Sequence, residues 1–133
     1  MTALKNYLAV DAGEKRVGLA IANNIAKLPG PLAILSNDND IYQKISDVVK
    51  EENIAKIIVG LPRNMSGEET AQSQFSRQFA AELAKSTGVE IEFADESLST
   101  KRVAESTYKK DPSGYLDSIA ACFILEEYLE VNN

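Results

Sequence analysis

A chain of 133 residues with no histidine, one cysteine (Cys122) and 14 Lys+Arg against 20 Asp+Glu, for a net charge of −6, closes off several kinds of chemistry at once. Neither a Ser-His-Asp or Cys-His nucleophile system nor a His/Cys zinc site can be assembled from it. Acid–base work falls to Asp, Glu, Lys, Tyr or water, and any metal is a hard ion among oxygens, magnesium, manganese or calcium rather than zinc or copper.

The length suits one domain over 1–133. A lone cysteine and a start, MTALKNYLAVDAG, with too short an apolar run for a signal peptide lead us to expect a cytoplasmic protein. No segment approaches the ~20 apolar residues of a membrane span, so no membrane partner is expected. The acidic balance weighs only mildly against nucleic acid, because local clusters and bound cations reverse the field where it counts.

Along the chain, Tyr7 to Val10 reads as a strand running into Asp11. Val17 to Ala22 reads as a second, with Gly13 permitting a tight reversal between them. Leu32 to Leu35, after the Pro29-Gly30-Pro31 breaker, is a third strand and completes an antiparallel meander. The cluster Asn37-Asp38-Asn39-Asp40 then starts a helix carrying Ile41, Ile45, Val48 and Val49 at helical spacing. The continuous apolar run Ile54 to Val59 predicts a strand covered on both faces. Ser66 with Glu69 has the form of a capping box, opening a helix with Gln72, Phe75, Phe79 and Leu83 on one stripe and closing near Gly88. Val89 to Ala94 is a fifth strand, ending in Asp95-Glu96. A short helix from Ser99 or Thr100 to Tyr108 and a last one from Tyr115 to Glu130 follow. The order βββ-α-β-α-β-α-α predicts an α/β domain: a five-stranded mixed sheet, three strands in a meander and two parallel, with helices on both faces.

Three acids stand out on this frame, each with an ordinary alternative. Asp11 either bonds its own backbone in the turn or serves as a strand-end carboxylate. Glu96 is either an exposed loop acid or part of a site. Because strand alternation sends Asp95 and Glu96 to opposite faces, at most one of the two belongs to a shared site. Asp117 shares a helical face with Ala120, Ala121, Ile124 and Tyr128, a small apolar surface that should press on the sheet. There it is either a first-turn acid satisfied by helical N–H groups or a carboxylate that binds a metal. Sites in open α/β sheets form beyond the carboxyl ends of the parallel strands, where Asp11 and Glu96 both fall. Around them, Lys15, Arg16, Arg63 and Asn64 are candidate phosphate contacts, the last two in a loop before a helix N-terminus. Lys101 and Arg102 follow Glu96, whereas Lys109 and Lys110 complement a helix dipole.

The segments LAVDAGEKRVGLAIAN, IIVGLPRNMSGEETAQSQ, ADESLST and DSIAACFILEEYL resemble, in order, the four blocks of the YqgF/RuvX family. The resemblance implies a ribonuclease-H-like fold. It also implies a hydrolase, a metal-dependent endonuclease using Mg2+ or Mn2+, with Asp11, Glu96 and Asp117 as catalytic and metal-binding acids. Lys15 and Arg16 match the family's phosphate-facing pair. The implied activity is maturation of the 5′ end of pre-16S rRNA, with small-subunit precursors as partners. The alternatives are a Holliday junction resolvase on branched DNA and a ribosome-assembly factor with little turnover; monomer and homodimer both stay open. Two positions depart from the family pattern. Ser97 stands where the family has an arginine beside the acid, removing a guanidinium fork, and Asn23-Asn24 stand where an acid is common.

Overall fold

The computed structural model describes residues 3–96 and 115–131, with the side chains of Glu96 and of 115–118 outside that description. The expected helix near 99–108, and with it Ser97, Lys101 and Arg102, lies outside the described residues. The elements are β1 (Asn6–Ala12), β2 (Arg16–Asn23), β3 (Gly30–Ser36), α1 (Ile41–Glu51), β4 (Ile54–Pro62), α2 (Ala71–Thr87), β5 (Glu90–Glu96) and α3 (Tyr115–Val131). They form one mixed sheet in the order β3-β2-β1-β4-β5. Strands β1, β2 and β3 run antiparallel, while β4 is parallel to both β1 and β5. This is the meander plus two parallel strands that the sequence predicts.

Period-two alternation divides the core. On one face Leu8, Val10, Val17, Leu19, Ile57 and Val59 pack under α1 and α2, which contribute Ile41, Ile45, Phe79 and Leu83. On the other, Ala9, Ala20, Ala22 and Ile58 lie under Ala121, Ile124, Leu125 and Tyr128 of α3. The alanines let α3 approach the sheet closely, and the expected helical face is the one that does so.

The β1–β2 hairpin closes through the Gly13 N–H, which donates to the Arg16 carbonyl at 3.0 Å. Asn37, expected to help start α1, belongs to this hairpin instead. Its amide side chain donates to the Gly13 carbonyl at 2.8 Å, and its backbone N–H to the Lys15 carbonyl at 2.8 Å. Helix α1 starts after Asp40, with the Asp38 carboxylate accepting from the Asp40 N–H and from Lys44.

Helix α2 begins at Ala71, later than the Ser66–Glu69 pattern predicts. Asn64 is the reason: its side-chain oxygen accepts the N–H groups of Ser66 and Glu68 and folds that stretch into a turn. The capping interaction moves to Thr70, whose N–H donates to Ser73 Oγ at 2.9 Å. Ser73 in turn donates to the Pro62 carbonyl, fastening α2 to the end of β4. At the far end Gly88, with φ 68°, terminates α2 in the left-handed conformation.

Candidate active site at the carboxyl ends of the parallel strands

Asp11 is the penultimate residue of β1 and is only 8% exposed. It pairs with Gly18, two residues along each strand from the Ala9–Ala20 pair under α3. Asp11 therefore belongs to the α3 face, beside a residue with no side chain. A buried carboxylate is costly unless it is neutralised by partners, protons or a metal.

The register carries this level across to Gly60 and Ala94 of the neighbouring parallel strands, since Val10 is opposite Val59 and Gly60 opposite Ala94; Glu96, opposite Pro62, stands two residues further along β5. Ala94 packs with the α3 cluster, so position 96 falls in the same alternating set as Asp11's face. Asp95 belongs to the opposite set, and its carboxylate goes to Arg63.

Helix α3 runs antiparallel to β1. Tyr128 packs edge-on against Tyr7 with ring centroids 6.1 Å apart. From there the helix backtracks ~16 Å over eleven residues to Asp117, and β1 advances ~13 Å over four residues to Asp11. Positions 117 and 11 thus reach the same level from the two layers, and position 96 lies at that end of the sheet.

The basic residues divide into two groups. Lys15 and Arg16 sit at the exposed tip of the β1–β2 hairpin, beside Asp11. Arg63 is committed within the fold: Nε donates to Asp95 Oδ1 at 3.0 Å and Nη1 to the Gly67 carbonyl at 3.2 Å. Asn64 spends its side-chain oxygen on the loop it folds. Asn23 and Asn24 bond the β2–β3 loop and the Ala3–Lys5 backbone, at the opposite end of β1 from Asp11.

Sequence reasoning did not find the ion-pair cluster behind the site. Arg77 of α2 grips Glu69 through two bonds of 2.6 and 2.8 Å and stacks its guanidinium 5.1 Å from the Phe93 ring. This pairing holds the Glu69 carboxyl below its ordinary pKa. Alternation sends Asp95 and Glu96 to opposite faces without saying which of them faces the site, and nothing local names the partner of Asp95. Cys122, half-buried on α3, has its thiol pushed up to about 11 by burial, with Glu126 adding to the effect. It is no nucleophile.

A family model described as RuvX, Holliday junction resolvase, matches residues 5–131. A protein of Sulfurihydrogenibium sp. (strain YO3AOP1) named "Putative pre-16S rRNA nuclease" is 35% identical, over 96% of this chain and 91% of its own. A protein of the same name from Anaeromyxobacter sp. (strain Fw109-5) is 36% identical, over 93% and 96%. Among solved structures, Thermus thermophilus RuvC in complex with a Holliday junction substrate superposes with a TM-score of 0.58 at 11% identity, covering 96% of this chain and 95% of that one. The Fowlpox virus resolvase in complex with Holliday junction DNA gives 0.59 at 18%, covering 96% and 98%. At these identities the likeness is one of fold, ribonuclease-H-like.

Proposed function

Because the chain belongs to the RuvX family, over residues 5–131, we propose that it is a cytoplasmic, metal-dependent nuclease that matures the 5′ end of pre-16S rRNA. The observation that carries this reading is the placement of Asp11, buried on the α3 face, at the end of the sheet where β5 reaches position 96 one two-residue step further on and α3 brings position 117. The names of relatives at 35 and 36% identity favour pre-16S rRNA over other substrates.

Asp11, Glu96 and Asp117 would hold Mg2+ or Mn2+. The donor set fits, since it is all oxygen in a chain without histidine. What such an ion supplies is Lewis-acid activation of water and of the phosphoryl oxygens. Lys15 and Arg16, on a hairpin tip held by Asn37, orient flanking phosphates towards the acids. Asn64, Lys101 and Arg102 extend that contact. The bonds that Arg63 makes to Asp95 and to the Gly67 carbonyl give it a different part.

The test is cleavage of a precursor 16S rRNA fragment in Mn2+ or Mg2+, with EDTA as control. Asp11→Asn should abolish it while leaving the circular dichroism and melting temperature near wild type. Full activity in EDTA, or in the variant, would sink the proposal. The family's description as Holliday junction resolvase supports a second substrate, so a four-way DNA junction is assayed alongside. Preferential cleavage of the junction would replace rRNA by branched DNA in this reading. Binding to small-subunit precursors with no turnover on either substrate would make the protein an assembly factor.

A further inference from the structure

We propose that Arg63 is a positioning residue, which fixes the end of β5 and through it the metal ligand Glu96, rather than a phosphate contact. The inference rests on the reading of Glu96 as a ligand. Strand β5 pairs with β4 on one side and is the last strand of the sheet among the described residues. Among the described residues its end is paired with β4 alone, and ends of edge strands fray. A metal ligand at such a place needs its backbone fixed by something else, since ligands that are not oriented by their surroundings bind weakly.

The structure supplies that hold from the face opposite Asp11. Arg63 leaves the end of β4 and takes Asp95, the residue before Glu96, at 3.0 Å. The same guanidinium takes the Gly67 carbonyl. Gly67 is itself fixed, with φ 80° and its N–H donating to the Asn64 carbonyl at 2.9 Å. One side chain thus ties the β4–α2 loop to the last turn of pleat in β5. Arg77, stacked on Phe93 and paired with Glu69, grips the same strand two residues earlier. Both contacts reach odd-numbered positions of β5, leaving the even set, with position 96, to the site face. The Arg63 side chain is 28% exposed but that of Asp95 is 67% exposed, so the hold comes less from shielding than from a planar fork matched to two acceptors at once.

The experiment measures Mn2+ affinity by electron paramagnetic resonance, without nucleic acid, in wild type, Arg63→Gln, Asp95→Asn and the double variant. Positioning predicts a roughly 10-fold loss or more in each single variant. The double variant should lose no more than either single one, because both break the same contact. Exchanging the charges, Arg63→Asp with Asp95→Arg, should recover part of the affinity, which guards against a variant that merely unfolds. Rates on pre-16S rRNA should fall in kcat with KM unchanged. Arg63→Gln with wild-type Mn2+ affinity and a raised KM would overturn the proposal and restore Arg63 as a phosphate contact. Wild-type Mn2+ binding that Glu96→Gln leaves unchanged would overturn the assignment of Glu96 and the positioning role with it. Loss in Glu96→Gln without loss in Arg63→Gln overturns the positioning role alone.

Discussion

At the hairpin tip beside Asp11, Gly13 has no room for a side chain: a Cβ there would stand 2.6 Å from the Arg16 carbonyl oxygen. Backbone on both sides of that contact leaves no flexible group to yield. Gly13→Ala should therefore force the turn open, costing about 1–3 kcal/mol of stability and displacing Lys15 and Arg16. Urea melts give the first effect, and nucleic-acid affinity at constant Mn2+ the second; wild-type values for both would mean the turn relaxes freely. Gly13 was legible as a reversal residue, but its reason lies in an approach of two backbones that spacing cannot show. Asn37 makes the same point more strongly. Within an Asn-Asp-Asn-Asp run it looks like a helix cap, yet its partners are Gly13 and Lys15, more than twenty residues back. Side chains that cap locally can also bond at a distance, and only the meander decides between the two.

Elements were read more readily than their fastenings. Apolar runs and helical spacing placed all five strands and the three described helices, because burial of one face sets those periods directly. What holds α3 on the sheet at its far end was not visible. There Lys56 of β4 donates to Tyr128 of α3 at 2.9 Å and to Glu92 of β5 at 3.1 Å. Lys56 holds the Glu92 carboxyl below its ordinary pKa, with Tyr128 contributing in the same direction. The bond to Tyr128 raises that of Lys56, with Glu92 adding to the effect. A lowered carboxylate contributes stability that is present above its unfolded value, near 4.3. That contribution is lost as pH falls through the folded value. Glu92→Gln should therefore lower stability at neutral pH and flatten its fall below about pH 4.3. With Glu92 40% exposed, the loss should be no more than about 1 kcal/mol. Urea titrations from pH 3 to 7 decide it; parallel pH curves for the two proteins would show that Glu92 is not linked to folding. The raised Lys56 works at the other end of the scale, stabilising below its unfolded value near 10.4 and ceasing to do so as pH climbs through the folded one.

For the molecule as a whole, the difficulty is a net charge of −6 on a protein proposed to bind a polyanion. Acidic residues concentrate elsewhere: on β5, the sheet-edge strand that carries Glu90, Glu92 and Asp95, and on α3, with Glu126, Glu127 and Glu130. Part of that charge is already matched, since Lys56 meets Glu90 and Glu92, and Arg63 meets Asp95. Asp11, in contrast, lies beside a hairpin whose tip carries Lys15 and Arg16 against the single acid Glu14. Charge was thus legible from composition only as a total, whereas its distribution follows from the topology that brings the hairpin tip to the strand ends. If those two residues neutralise phosphates, each releases condensed counterions on binding. The Lys15→Ala/Arg16→Ala variant should then reduce the slope of log affinity against log salt by about 2. It should do so equally for pre-16S rRNA fragments of different sequence, because phosphate contacts carry no sequence information. Fluorescence anisotropy across a potassium chloride series, with Asp11→Asn in both proteins to prevent cleavage, isolates the effect. A slope unchanged by the double substitution would move the phosphate contacts away from the hairpin and leave the acids without their expected basic rim.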